Sequence, residues 1–412
     1  MKNNQANVAA GGDSPRKWLV LMAFMFAAGL NQALWLNFAP LLTRVQATYS
    51  VSEGLASTLV LVFPLVYVLL SAPAGVWTDR RGYRFTLVFG AVLQAVFACV
   101  RIYDASFWVL LLAQTGIAVA QPFIVNSISK LVADWFPPDA SALATGLGTM
   151  GMFLGMAAGM AATPPLVEAV GVRGTMAVFA GVAVLCALLV VTLVHTRGAN
   201  VAEASVPMTS LLKNGQLVVL FVVAFLGLGF FNGLTTWLEP MLAPNGFDAV
   251  KAGNIGGVLI VGGIIGSIVI PALSDKLKKR KPFLVGSVAV ALALTVPVCT
   301  SHDETLVLVA AGGLGFFFLP ALALLLDMCA TIAGEKAAGA ATGLLMLFGN
   351  AGGVVVTVVM VVVKGEATTW ERAVYVLYAV VVAAIGIAAF ASRETMSAAP
   401  LRPPLPAGEG LG

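Results

Sequence analysis

Pro73-Ala-Gly75-Val-Trp-Thr-Asp79-Arg80-Arg81-Gly82-Tyr83-Arg84 has a partial copy at Pro271-Ala-Leu-Ser-Asp275-Lys276, where the aspartate recurs 196 positions later. Two further pairs keep nearly the same interval. Ala144-Thr145-Gly146-Leu147 returns as Ala341-Thr342-Gly343-Leu344 after 197 positions, and Trp35-Leu36 returns as Trp237-Leu238 after 202. Strings of Ala, Gly and Leu are common in membrane helices, so no single pair carries weight. The shared interval does, because it divides the 412 residues into two copies of one unit. The polar stretch from His195 to Asn214, which contains Pro207, stands at the midpoint as the joint between the copies.

Hydrophobic residues make up 59% of the chain and charged residues 10%, too few charges to clothe a water-soluble surface of this size. A hydrocarbon layer of about 30 Å takes roughly 20 apolar residues per helix. Twelve such windows follow one another, at 18–40, 55–77, 84–103, 106–132, 141–166, 173–195, 216–241, 253–274, 282–300, 304–330, 339–363 and 372–391. The chain is therefore read as an all-α membrane protein with twelve transmembrane helices in two pseudo-symmetric six-helix halves. The expected division is an N-terminal segment 1–17, a first bundle 18–195, a linker 196–214, a second bundle 215–391 and a Pro- and Gly-rich tail 392–412 expected to be disordered. The first window exceeds a typical signal core and holds Asn31 and Gln32, so it is read as a retained span.

Basic residues lie mainly between the spans. Seventeen of the 23 lysines and arginines fall on the side that holds both chain ends; the other side has Arg44, Arg101, Arg173, Lys251, Lys364 and Arg372. By the positive-inside rule both termini face the cytoplasm, and the expected location is the cell inner membrane. The charge encodes orientation, so no nucleic-acid partner is expected. Cys99, Cys186, Cys299 and Cys329 lie inside apolar windows without paired spacing, so neither a disulfide framework, a metal site nor a cofactor is expected. No Asn-x-Ser/Thr sequon occurs, which fits a bacterial origin.

Polar side chains within the spans are few, and in a bilayer each must face a cavity or a neighbouring helix. The candidates for a solute pocket are Asn31, Gln32, Trp35 and Asn37 in span one, Gln114 and Gln121 in span four, Asn232, Thr236 and Trp237 in span seven, and Asn350 in span eleven. Asn31 and Trp35 lie one turn apart, as if on one face. Gly151, Gly155 and Gly159 in span five, and Gly257, Gly262, Gly263 and Gly266 in span eight, are placed to let backbones approach closely. No arginine is read inside a span, which counts against an anionic solute. Lys130 and Asp327, 197 positions apart, occupy equivalent places near the loop-side ends of spans four and ten, each expected to pair with a loop charge. Glu239, toward the outer end of span seven, is the first residue to consider if proton coupling exists.

The loop at Gly75, Asp79, Arg80, Gly82 and Arg84 resembles the major facilitator signature G-x-x-x-D-R-x-G-R-R, with Tyr83 in place of one basic residue. The resemblance implies a solute site between the two halves, lined by spans one, four, seven and ten. It also implies that Gly75 lets span two approach span eleven, while Asp79 faces a helix N-terminus in the other half and latches one conformation. The degenerate second copy at Asp275 is read mainly as a topological anchor.

Three segments resemble more narrowly the feline leukaemia virus subgroup C receptor-related branch, whose members are described as choline, ethanolamine or haem transporters. These are Val119-Ala-Gln121-Pro-Phe-Ile124 with Ser129-Lys130 and Trp135-Phe136, then Asn31 with Trp35, then Gly343-Leu-Leu345 with Asn350. The resemblance implies that Trp35 lines the cavity and receives a quaternary ammonium. Two positions depart: the branch's cavity glutamine falls at Phe153 and its span-seven tyrosine at Asn232.

The sequence-level reading is thus a monomeric secondary transporter, in contact with membrane lipid, moving a small neutral or cationic organic solute by facilitated diffusion. The alternatives are a proton-coupled symporter or an exporter of another metabolite, anionic ones included, and a receptor without flux. An enzyme is not expected, because the spans group no His, Asp, Cys or Ser as nucleophile, base or ligands.

Overall fold

Helix starts are written locally along the chain. Ser52 accepts a hydrogen bond from Leu55 N, Ser106 from Val109 N, Asn214 from Gln216 N and Leu217 N, and Asp303 from Leu306 N. Each satisfies a backbone donor that the first helical turn cannot. The computed structural model describes residues 16–103, 105–196, 208–334, 337–367 and 369–390. The helices are α1 (Arg16–Leu36), α2 (Glu53–Arg81), α3 (Tyr83–Val100) and α4 (Phe107–Trp135), then α5 and α6 as the two limbs of Pro138–Leu193. The second half holds α7 (Gly215–Leu242), α8 (Ala249–Leu277), α9 (Lys281–Thr300), α10 (Glu304–Ala333), α11 (Ala338–Lys364) and α12 (Glu371–Phe390).

Eleven described helices are continuous, long and apolar enough to cross a membrane. The twelfth span is concealed in the 56-residue Pro138–Leu193, which breaks at Gly171, φ 74° and ψ 172°. Only glycine enters that region without strain, so α5 and α6 join end to end with almost no loop. The outward faces are apolar; Val309 and Val362 are each 70% exposed. The expected disordered tail and most of the N-terminal segment lie outside the described residues, as does 197–207 of the linker. Within the remaining linker a short helix, Met208–Leu211, precedes α7.

Small residues hold each half together, because lipid supplies no hydrophobic drive between helices and close backbone contact must replace it. A Cβ built on Gly155 of α5 would stand 1.8 Å from Gly29 O of α1, and one on Gly352 of α11 would stand 1.8 Å from Phe225 O of α7. Gly155 and Gly352 are 197 positions apart, the interval of the sequence repeat, so the duplication reappears as matching seams. In α8, Gly262 and Gly266 press on Gly312 and Phe316 of α10, whereas Gly257 meets Ala161 of the opposite half.

Among the described residues, the close contacts between the halves gather at one end of the bundle. At the end away from the Asp79 loop, Glu239 of α7 accepts hydrogen bonds from Thr43 N (3.1 Å) and Thr43 Oγ1 (2.9 Å). Lys364 of α11 pairs with Glu53 of α2, Gly253 of α8 abuts Met160 of α5, and Gly54 abuts Val361. At the loop end, Gly75, Gly146 and Gly343 each have open space where a Cβ would be. Gly75 therefore does not meet α11 here: in this conformation the loop end is open and the far end closed. A Glu239→Ala, Lys364→Met double variant is expected to populate a state open at the far end. In a cysteine-free background, Thr236→Cys should then react faster with an impermeant maleimide added from that side.

The Asp79 loop carries a second bond system. Gly82 (φ 83°) ends α2, and Tyr83 O–H donates to His195 O at 2.6 Å while accepting from Trp135 Nε1 at 2.6 Å. Arg84 Nε donates to Val194 O at 2.9 Å. Tyr83, the departure from the family pattern, thus ties α3 to the ends of α4 and α6. Tyr83→Phe is expected to cost about 1–3 kcal/mol, seen as a lower melting temperature in a thermal-shift assay, by leaving buried polar groups without this hydroxyl.

Candidate functional site

Between the halves lies a cavity of about 260 Å³, near the lower end of the roughly 300–1,000 Å³ of drug-sized pockets and suited to a small metabolite. No charged side chain is among the described residues that line it. Five of the ten candidate residues meet there. Trp35 is held by a hydrogen bond from Nε1 to Val60 O (3.0 Å) and by stacking on Phe63 at 6.1 Å. Gln32 and Gln121 line the wall, and each has a buried Oε1 without a partner. Asn232 and Asn350 donate to Leu228 O and Met346 O, one turn back on their own helices, at 2.8 Å each.

The other five stand elsewhere. Asn31 turns into the first bundle, donating to Gln94 Oε1 (3.2 Å) and Ile117 O (3.4 Å), so it does not share the face of Trp35 in the way that one-turn spacing implied. Gln114 faces away from the cavity and takes a hydrogen bond from Arg101 (2.8 Å), while Gln121, two turns on, reaches it. Asn37 and Thr236 are buried outside the lining, and Trp237 is sealed against Trp370 at 4.8 Å with its N–H on Thr357 O. Trp35 and Trp237 are equivalent in sequence yet inequivalent in environment.

Aromatic rings outside the polar set complete the walls. Tyr67 of α2 donates to Asn126 Oδ1 (3.1 Å), and Phe153, Phe230, Phe231 and Phe318 close the remaining sides. The signal available for them was position: Phe153 falls where the resembling branch carries a cavity glutamine, and Phe318 lies on span ten, one of the four expected to line the site.

Of the loop and gate candidates, Gly75, Arg80 and Gly82 lie at the open end, and the side chains of Asp79 and Asp275 lie outside the described residues. Lys130 Nζ donates to Thr78 O at 3.3 Å, and Asp327 accepts from Arg280 Nε at 2.8 Å. The equivalent pair is thus engaged at the loop end of each half. One expectation is corrected: Arg101, counted with the far-side loop charges, is completely buried at the end of α3.

Residues 21–357 match the Major Facilitator Superfamily, and the chain belongs to that family. It is similar to the choline/ethanolamine transporter flvcr2a of Danio rerio, with 26% identity over 376 residues covering 84% of this chain and 80% of that protein. It is likewise similar to the choline/ethanolamine transporter FLVCR1 of Felis catus, 26% identical over 387 residues, covering 86% and 68%. An uncharacterized MFS-type transporter of Caenorhabditis elegans is 28% identical over 382 residues covering 84% of this chain, which spans 64% of that protein's length. Among solved structures, a bacterial homolog of the human lysosomal transporter Spinster, inward-facing and occupied, superposes with a TM-score of 0.74 at 17% identity, covering 92% of this chain and 97% of that one. The multi-pass transporter fold and the resemblance to the subgroup C receptor-related branch are thereby established.

Proposed function

We propose that the chain is a facilitative carrier for a small organic cation of the choline and ethanolamine class, working in a cell membrane with its Asp79 loop and both termini in the cytoplasm. The observation that carries this reading is the chemistry of the cavity: aromatic faces at Trp35, Tyr67 and Phe153, two unpartnered amide oxygens at Gln32 and Gln121, and no charged side chain among the described lining residues. Ring faces attract an onium group without a formal counter-charge that would hold it too tightly. The amide oxygens accept from a hydroxyl or ammonium N–H at the other end of the same molecule. Similarity to proteins named choline/ethanolamine transporters supports the same class.

In this account the solute enters at the loop end in the conformation described, and closing α2 on α11 and α5 on α8 at that end accompanies opening at Glu239 and Lys364. A second reading, a proton-coupled carrier or exporter, draws on Glu239, a carboxylate 5% exposed at the far-end gate. The test is uptake of radiolabelled choline and ethanolamine into liposomes holding the purified protein. Saturable uptake unaffected by an imposed pH gradient is expected. Uptake that requires the gradient selects the second reading, and absence of saturable flux with either solute removes the substrate class.

A further inference from the structure

The hold on Trp35 has a cause in the sequence of the neighbouring helix. Inside α2, Pro64 stands four residues after Val60, at the position whose N–H would donate to Val60 O in an unbroken α-helix. Proline has no N–H, and its ring crowds the carbonyl four residues back. Val60 is 1% exposed and Pro64 is buried, so the bundle itself must answer that oxygen. In a membrane, carbonyls freed by proline are satisfied from neighbouring helices, and here the donor is Trp35 Nε1 of α1, at 3.0 Å. The bond serves both partners, since an indole N–H on a ring 6% exposed needs an acceptor as much as the carbonyl needs a donor.

The second half shows the arrangement without the proline. Pro73 recurs 198 positions on as Pro271, but the positions 196 to 198 after Pro64 are Ile260, Val261 and Gly262. No proline frees a carbonyl of α8 at that turn, and the N–H of Trp237 goes instead to Thr357 O of α11, at 3.1 Å. Trp237 is held by enclosure, 0% exposed and packed on Trp370, outside the cavity lining. Trp35 borders the cavity, so packing does not enclose it and a directional bond sets its tilt. The proline and the cavity-facing tryptophan thus occur together in one half, and neither has its counterpart in the other.

We propose that Pro64 is a positioning residue for the solute site: by freeing Val60 O it supplies the acceptor that sets the angle at which the Trp35 ring meets the solute. Pro64 is not among the residues that line the cavity and acts through the indole. The inference rests on the reading of Trp35 as the ring that receives an onium group. Its effects run opposite to those of a merely structural residue. Alanine is a far better helix former than proline, so Pro64→Ala should not lower the melting temperature, while its new N–H competes for Val60 O and loosens the tie to Trp35. Pro64→Val restores the same N–H and keeps most of the proline's bulk, which separates the donor from the space it fills.

The test uses the full chain with nitrogen-15-labelled tryptophan, in which the indole resonance of Trp35 is the one missing from Trp35→Phe. In Pro64→Ala and Pro64→Val its proton is expected to move upfield as the hydrogen bond lengthens. In liposomes the KM for choline should rise about threefold in both, a part of the ring's contribution, at a nearly unchanged maximal rate. In Trp35→Phe, which has no N–H to place, adding Pro64→Ala should leave KM where it was. An indole resonance that stays put in both variants overturns the proposal, as does a KM equal to that of wild type, or a KM rise that persists in the Trp35→Phe background. The resonance is read without solute. Wild-type protein giving no saturable choline or ethanolamine flux would therefore remove the solute class, and the resonance alone would decide whether Pro64 places Trp35.

Discussion

Trp35→Ala is expected to raise the KM for choline uptake about tenfold or more while leaving the protein folded. A ring face near a partly desolvated onium group contributes about 1–2 kcal/mol, which is roughly 5- to 30-fold in affinity. Trp35 is placed to give this contribution because its N–H is already spent on Val60 O and its plane is fixed by Phe63, so little orientational freedom is lost on binding. Trp35→Phe keeps a ring in place and should retain most of the affinity. Trp237→Ala is the control. That ring is 0% exposed and packed on Trp370, so its removal should cost about 3–5 kcal/mol of stability, seen in the melting temperature, with solute affinity nearly unchanged in whatever folds. An unchanged KM in Trp35→Ala would remove the pocket assignment.

Two glycines, both suited by sequence to close helix packing, are expected to behave in opposite ways when replaced by leucine. Gly155→Leu should yield no monodisperse protein, because the new Cβ would fall on the backbone of Gly29, with Gly29 O at 1.8 Å and Gly29 Cα at 2.6 Å. Backbone atoms cannot swing aside as the end of a side chain can, so α1 and α5 must separate. Gly75→Leu should fold with a wild-type melting temperature, since nothing lies within 4 Å of its Cβ position. Its uptake should fall to background, because the proposed cycle needs α2 to close on α11 at that residue. Size-exclusion chromatography, thermal shift and liposome uptake together read both cases; normal transport by Gly75→Leu would mean that the loop end does not close there.

The sequence disclosed the architecture because membrane folding writes it in composition. Apolar windows of span length mark the helices, and a repeat near 197 positions marks the two halves. It marked ten pocket candidates by polarity alone and brought in residues that satisfy one another inside a bundle, such as Asn31 with Gln94. A one-dimensional pattern cannot separate a polar group facing a cavity from one facing a partner helix, since lipid excludes both. The aromatic wall escaped for the complementary reason, because Phe231 or Phe318 reads the same whether it faces solute or lipid. Arg101 was misassigned because the rule that places arginines in loops works on sequence distance from a span end, and Arg101 immediately follows the last residue of α3.

The lining of the cavity, uncharged among the described residues, has an energetic corollary for the cell. A carrier whose empty site bears no charge crosses its cycle neutrally when unloaded and as a monovalent cation when loaded, so the electric field acts only on the loaded step. At about 2.3 kcal/mol per 100 mV, an inside-negative potential alone would concentrate a quaternary amine roughly fiftyfold in the cytosol, with no ion gradient spent on it.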